Sequence, residues 1–279
     1  MTHAPGAGGV LYVVSTPIGN LGDMTLRAIE TLKSVAVILA EDTRHSRKLL
    51  DHFDIGTPLL AYHEHNEAKS TPALVARLGR GESMAIITDA GTPLLSDPGS
   101  RLVSAAIDAG VRIVPIPGAS ALLAALVTAG LPAERFTFFG FLERKGKDRE
   151  REIGELRRLP HTAVLYESPN RLAATLVELT ESGLAERRAV VGRELTKQFE
   201  ELTRGTVAEL ARYYENVPPR GEVVVVIESA GETSLGEDAF RARARELRAS
   251  GASARDVVAA LMDEMGAPRN LAYKLAHEG

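Results

Sequence analysis

Thr88-Asp89-Ala90-Gly91-Thr92-Pro93-Leu94-Leu95-Ser96-Asp97-Pro98-Gly99 is the stretch on which the fold turns. It follows a short apolar run, 85–88, that reads as a buried strand, and it leads into 98–109, whose apolar spacing reads as a helix. An acid, a hydroxyl and a glycine therefore gather where a strand gives way to a helix. Open α/β sheets bind ligands at that carboxyl edge. Asp89 is the functional candidate of the loop, and Asp97 fits the N-cap of a helix that opens with Pro98.

Working outward, the same punctuation recurs. Strand-like runs at 10–15, 35–40, 59–62 and 111–115 alternate with helical spacing at 24–33, 43–53, 71–78 and 119–128. In the 71–78 helix, Thr71 reads as N-cap and Pro72 as the first helical residue. Near-continuous apolar strands between helices predict a parallel sheet covered on both faces. Two more strand-to-helix loops then fall on the same edge. One is Ser15-Thr16-Pro17-Ile18-Gly19-Asn20-Leu21-Gly22-Asp23, with two glycines and a following acid; the other is Pro115-Ile116-Pro117-Gly118-Ala119-Ser120-Ala121, a narrow turn opening a helix. Each alone is compatible with a plain packing turn. The first is not G-x-G-x-x-G, so a dinucleotide reading has no support.

Past a break at 130–134, strands are expected at 136–141, 162–166, 189–192 and 222–228, and helices at 147–158, at 169–181 with Ser168 as cap, and near 207–214. Mixed pairing is open to this half. The polar stretch 229–236 reads as a linker. The tail is helical: 238–249, then a helix capped by Ser253 with Asp256 three residues on, a turn at 266–268, and 270–277, together resembling a helix-turn-helix. The expected division is 1–131, 132–230 and 231–279.

Composition limits the function classes. The chain of 279 residues is 44% hydrophobic and 25% charged, an ordinary globular balance. It has no cysteine, which excludes disulfides, zinc–thiolate sites and thiol nucleophiles. No apolar run approaches the ~20 residues of a membrane span, so the expectation is a cytoplasmic protein that makes no membrane contact. A net charge of −4 argues against non-specific nucleic-acid binding and directs any RNA contact to local basic patches or to a folded particle. The best patch is 144–158, with seven Lys/Arg against four Asp/Glu; it reads as a solvated helix laced with ion pairs or as an RNA clamp.

Taken in order, TPIGNLGD, AEDTR (40–44), DAGTPLLSDPG and PGASA resemble the tetrapyrrole-methylase-like class of S-adenosylmethionine (SAM) methyltransferases. Within it they resemble the branch that methylates a ribose 2′-hydroxyl of a cytidine in 16S ribosomal RNA near the decoding centre. The segments Tyr166-Glu167-Ser168-Pro169-Asn170-Arg171 and Gly192-Arg193-Glu194-Leu195-Thr196-Lys197, and the helical tail, extend the likeness over essentially the whole chain. The resemblance implies two α/β domains with SAM in the cleft between them and a small C-terminal helical domain. It also implies 16S rRNA, within the small ribosomal subunit, as partner, and a homodimer. Carried over by residue, SAM contacts are expected from Pro17, Asp89, Gly91, Thr92 and Pro93, from Pro117, Gly118, Ala119, Ser120 and Ala121, and from Tyr166 and Leu195.

Methyl transfer to a hydroxyl needs alignment and a proton acceptor. Glu41, Arg44, Glu167 and Lys197 are the catalytic candidates, with the base left open among them. Three of them also have a structural alternative: Arg44 as a solvated surface residue, Glu167 as an acid favoured by a helix N-terminus, Lys197 as part of an ion-pair set with Arg193 and Glu194. Asp42, beside Glu41, can cap the following helix. His63-x-His65 lacks companion ligands, and no metal is expected. The rival readings are methylation of a tetrapyrrole or other small molecule, and a binding module without turnover.

Overall fold

The computed structural model describes residues 8–230, 237–263, 265, 267 and 269–278. Its first half alternates strand and helix: β1 (Val10–Val14), α1 (Leu26–Ser34), β2 (Val37–Ala40), α2 (Thr43–His52), β3 (Leu59–Ala61), α3 (Glu64–Gly79), β4 (Met84–Ile86), α4 (Ser100–Asp108), β5 (Arg112–Ile116) and α5 (Ala121–Ala129). The sheet runs β3-β2-β4-β1-β5 and every pairing in it is parallel. β2 shows why its sequence carries no polar residue. Ile38 and Ala40 pack on one face with Ala28, Leu32 and Leu50, while Val37 and Leu39 pack on the other with Leu74, Leu78 and Leu102. Alternate residues point to opposite faces, and helices cover both.

The second half contains β6 (Phe136–Phe141), α6 (Lys147–Arg158), β7 (Thr162–Glu167), α7 (Pro169–Leu179), β8 (Arg188–Arg193), β9 (Glu201–Thr206), α8 (Val207–Asn216) and β10 (Val223–Ile227). The order is β6-β7-β10-β8-β9, parallel between β6 and β7 and antiparallel elsewhere. One face packs on α6, α7 and α8 through Ile153, Leu156, Leu172, Leu176 and Leu210. The other receives α5 from the first half: Leu122, Ala125, Leu126 and Ala129 meet Val164, Val190, Val224 and Val226. Each leucine buried there contributes about 1.5–3 kcal/mol, so α5 holds the two sheets together and their facing edges form a cleft.

The tail forms α9 (Glu237–Ala249), α10 (Ala254–Asp263) and α11 (Arg269–His277), with a core of its own from Phe240, Val257, Leu261, Ala272 and Leu275. The expected cap is present: the Asp256 amide donates to the Ser253 Oγ at 3.3 Å, and the Ser253 amide to Asp256. The linker expected at 229–236 and the turn at 266–268 lie largely outside the described residues.

Three local expectations are corrected. Thr71 does not cap a helix: α3 begins at Glu64 after His63, and Pro72 lies inside it. The buried Thr71 hydroxyl donates to the Glu67 carbonyl at 2.7 Å and meets the Tyr62 hydroxyl at 2.9 Å, which ties down the turn that proline would loosen. Asp97 does not cap α4: Gly99 holds that position at φ 130°. β9 is a further strand that the sequence reading did not include. Its residues are mostly half-exposed and polar, and its pairing with β8, not its composition, makes it a strand. Among the described residues no helix is long and apolar enough to cross a membrane.

Candidate active site

The carboxyl ends of β1, β2, β4 and β5 deliver four loops to one edge, and hydrogen bonds stitch them together. Thr16 and Gly91 exchange amide hydrogen bonds at 2.9 and 3.1 Å, and the Thr16 hydroxyl donates to the Thr88 carbonyl. The Thr92 hydroxyl donates to the Ala119 carbonyl at 3.2 Å and accepts from the Ser15 hydroxyl at 3.3 Å. The Asp42 amide donates to an Asp89 carboxylate oxygen at 3.3 Å. Close approach depends on missing side chains: a Cβ on Gly118 would stand 3.0 Å from that of Ser15, and Gly91 at φ +83° would put one 3.2 Å from Ile18.

Opposite stands the edge of the second sheet, where Glu167, Val223 and Arg193 are in register. Between the edges lies a cavity of about 450 Å³, bordered by Glu41, 88–92, 95–97 and Ala121 from the first half, and by Phe141, 166–169 and 222–224 from the second. Its walls mix apolar surface with a few carboxylates, as small-molecule sites do. Phe141 and Tyr166 border one side, their rings tilted at a centroid distance of 5.6 Å, and Phe138 meets Tyr166 edge-on at 4.8 Å from the apolar cluster behind it. A second cavity of about 340 Å³ adjoins it and shares Glu41, Ser96 and Asp97 with it. A third of about 310 Å³ meets it at Ile18, Asp89, Ala90 and Glu222 and carries Pro17, His45, Lys48 and Lys197.

The candidate residues fall into distinct settings. Asp89, Gly91, Thr92, Ala121 and Tyr166 border the main cavity, and Pro17 the third. Pro93 is buried beneath its loop, while Pro117 and Gly118 are exposed. Ser120 caps α5 by accepting from the Leu123 amide, and the Ala119 carbonyl is taken by Thr92. Leu195 is packed among the apolar residues that join the sheets.

Among the catalytic candidates, Glu41 borders both the main and the second cavity. Burial, with the Asp89 charge beside it, raises its pKa. Glu167 borders the cavity but is 4% exposed and committed: it accepts from the Ser168 amide and the Thr175 hydroxyl at 2.7 Å each, and pairs with Arg171 at 3.3 Å. Lys197 is held by Glu194 at 2.8 Å and Glu222 at 3.1 Å; burial opposes its charge, and these two carboxylates outweigh that and raise its pKa. Arg44 points to solvent with its side chain 90% exposed, paired to Asp42, which caps α2. The 144–158 segment is α6 and its approach, and Arg149 in it is a buried strut bonded to Glu178, the Glu143 carbonyl and Thr175.

Sequence reasoning missed Leu95, Ser96, Phe141 and Glu222 as wall residues, and it assigned Asp97 to a cap. Asp97 instead faces the cleft. Burial above all, with Glu41 and Asp89 adding repulsion against a hydrogen bond from Thr88, pushes its carboxyl up to about 6. The motif S-D-P-G was the available signal, but it serves a helix cap equally well. His63 and His65 stack at 6.0 Å, and among the described residues no group of three or more potential metal ligands gathers.

Comparison with known proteins gives a consistent picture. Residues 10–211 match the family Tetrapyrrole (Corrin/Porphyrin) Methylases. The chain is 45% identical to ribosomal RNA small subunit methyltransferase I of Synechocystis sp., covering 97% of this chain and 98% of that protein. It is 52% identical to the protein of the same name from Mesorhizobium japonicum, over 78% of this chain and 74% of that one. Among solved structures, diphthine synthase superposes with a TM-score of 0.61 at 14% identity, covering 79% of this chain and 90% of that one. The uroporphyrin-III C-methyl transferase of Thermus thermophilus, complexed with S-adenyl homocysteine, superposes with a TM-score of 0.57 at 21% identity over 80% and 98% of the two chains. These structural likenesses show the shared fold.

Proposed function

The chain belongs to the tetrapyrrole (corrin/porphyrin) methylase family, within its ribosomal RNA small subunit methyltransferase I group, and from that premise we propose that it transfers a methyl group from SAM to the 2′-hydroxyl of a cytidine in 16S rRNA near the decoding centre. The observation that carries the reading is the main cavity at the meeting of two sheet edges, deep enough for a nucleoside-sized ligand and open to a second molecule through the adjoining cavities.

The residues present suit SAM. Gly91 lacks the Cβ that would crowd Ile18, and Asp89 offers a carboxylate to ribose hydroxyls or an ammonium. Ala121 and Tyr166 supply apolar surface. When bound, SAM supplies a methyl group already activated on a sulfonium. The protein then has to align the acceptor oxygen with that methyl carbon, exclude water and receive one proton. The two α/β units, 1–131 and 132–230, hold the cofactor between them in this reading. The wider expectations form part of the same proposal: an assembled small subunit as substrate, a cytoplasmic setting and a homodimer. The acidic net charge favours a folded particle over free RNA.

The test is transfer of labelled methyl from SAM to 30S subunits from a strain lacking this gene, followed by mass spectrometry of the nucleosides. Labelled 2′-O-methylcytidine is the expected product. Unlabelled RNA alongside intact SAM binding would sink the ribosomal reading and favour a small-molecule acceptor.

A further inference from the structure

We infer that Asp97 is the catalytic residue that takes the proton from the attacking hydroxyl, an inference that rests on the O-methyl transfer proposed above. Five carboxylates border the main cavity: Glu41, Asp89, Asp97, Glu167 and Glu222. Their surroundings separate them. Glu167 has both oxygens engaged, by the Ser168 amide and by the Thr175 hydroxyl. Glu222 is bound to the Lys197 ammonium. Asp89 already accepts the Asp42 amide. Among the described residues no Lys or Arg pairs with Glu41 or Asp97, and of those two Asp97 is the one carried on a strained turn, next to left-handed Ser96. A base has to be held in place before it is useful.

The backbone adds a second argument. Leu94 and Ser96 stand at φ 74° and 67°, a left-handed conformation that non-glycine residues adopt at a cost. β6 makes room for it, because a Cβ on Gly140 would lie 2.7 Å from the Ser96 Oγ. α4 gains nothing from this, since Gly99 is its cap. The strained turn sets the Asp97 side chain on the boundary of the main and second cavities. Leu95, 37% exposed, and Phe141, 52% exposed, flank it with apolar surface on which an unstacked base can rest.

The groups facing Asp97 are Glu41 beyond β2, Thr88 and Asp89 beyond β4, Glu64 and Glu67 across the smaller cavity, and Tyr166 from β7. With its carboxyl near 6, Asp97 is ionised at pH 7 and still basic enough to accept a proton. The step balances: the ribose oxygen bonds to the methyl carbon, the carbon–sulfur bond breaks with its electron pair left on sulfur, and the hydroxyl proton passes to the Asp97 carboxylate.

The experiment compares wild type with Asp97→Asn and Asp97→Glu on 30S subunits in single turnover across pH, with S-adenosylhomocysteine binding by calorimetry and the carboxyl-carbon NMR titration of aspartate-labelled protein. Expected are a wild-type rate rising through pH about 6, a carboxyl resonance titrating there that Asp97→Asn lacks, a loss of about 10²–10⁴-fold in Asp97→Asn, partial recovery in Asp97→Glu, and unchanged S-adenosylhomocysteine affinity. Wild-type transfer with a fast Asp97→Asn variant that keeps the acid limb would overturn the assignment alone. No transfer to RNA by the wild type, with S-adenosylhomocysteine bound, would overturn it together with the reading beneath it.

Discussion

Two loops face each other across the cleft and share an unusual backbone. In 88–99, Leu94 and Ser96 are left-handed on either side of Leu95; in 193–201, Glu194 and Thr196 are left-handed on either side of Leu195. Their contents differ. Leu195 is buried between the sheets, whereas Leu95 borders the open cavity. Glu194 accepts from Lys197 and from the Glu222 amide, and the Lys197 hydrogen bond holds its carboxyl below the usual range. Asp97 has no cation among the described residues, and burial raises its carboxyl. The same backbone strain is accompanied by ionic and apolar packing in one loop and by an acid without a cation at the cavity in the other. Strain alone therefore does not separate the two loops; the partnering of the acid that each carries does.

The comparison can be broken most severely at Leu195. Leu195→Ala removes a buried anchor between the sheets and should cost about 2–5 kcal/mol in denaturant unfolding, with the pH profile of methyl transfer unmoved; a small cost would mean that this loop is not a packing device. Next is the pH dependence of stability at Asp97. Its folded pKa is raised, so the folded state binds the proton more tightly than the unfolded chain, and the penalty is present above about pH 6 and gone below about pH 4. Asp97→Asn should thus be more stable than wild type at pH 8, by less than the ~3 kcal/mol of the full shift because solvent screens this partly exposed carboxyl, and close to it near pH 4. Equal melting temperatures at both pH values would refute this.

Lys197→Met strands Glu194 and Glu222 without their cation. A loss of about 1.5–3 kcal/mol is expected, with the rate on 30S subunits changed less than tenfold; a hundredfold fall with stability intact would show that Lys197 serves the reaction itself. The smallest effect belongs to the support of the other loop. Gly140→Ala meets Ser96 and an unfavourable φ of +65°, costing about 1 kcal/mol, and should weaken S-adenosylhomocysteine binding measurably in calorimetry. Unchanged affinity would mean that the 94–97 backbone does not depend on that gap.

Legibility followed the range of the interactions. The β2 run Val-Ile-Leu-Ala announces a strand buried on both faces, and Ser253 with Asp256 announces a helix start, because both depend on near neighbours. Thr71-Pro72 misled, since a proline after a threonine suits a first turn, and only contact with Tyr62 and Glu67 shows it inside α3. β9 was illegible because Glu-Leu-Thr-Arg-Gly-Thr acquires its strand character from β8. At the site, the DAGTP loop was found because acid, glycine and hydroxyl lie together in sequence. Phe141 and Glu222 were missed because they come from strand ends that meet the loop only after α5 has docked the second sheet.

By itself, the sequence determined the alternation of strands and helices, the parallel first sheet and the edge at which chemistry gathers, since local periodicity and turn residues encode these. Tertiary structure decided which acids stand at the cleft without a cation. Glu167 and Asp97 are both acids between a strand end and a helix start; one is consumed by Ser168, Thr175 and Arg171, while the other is left facing the cleft because Gly99 took its cap. Glu167 finds its partners in its own strand-to-helix turn and the helix that follows, whereas the burial of Asp97 and the Glu41 charge beside it come from elements brought in by the fold, and a carboxylate's charge and basicity follow from burial and partnership.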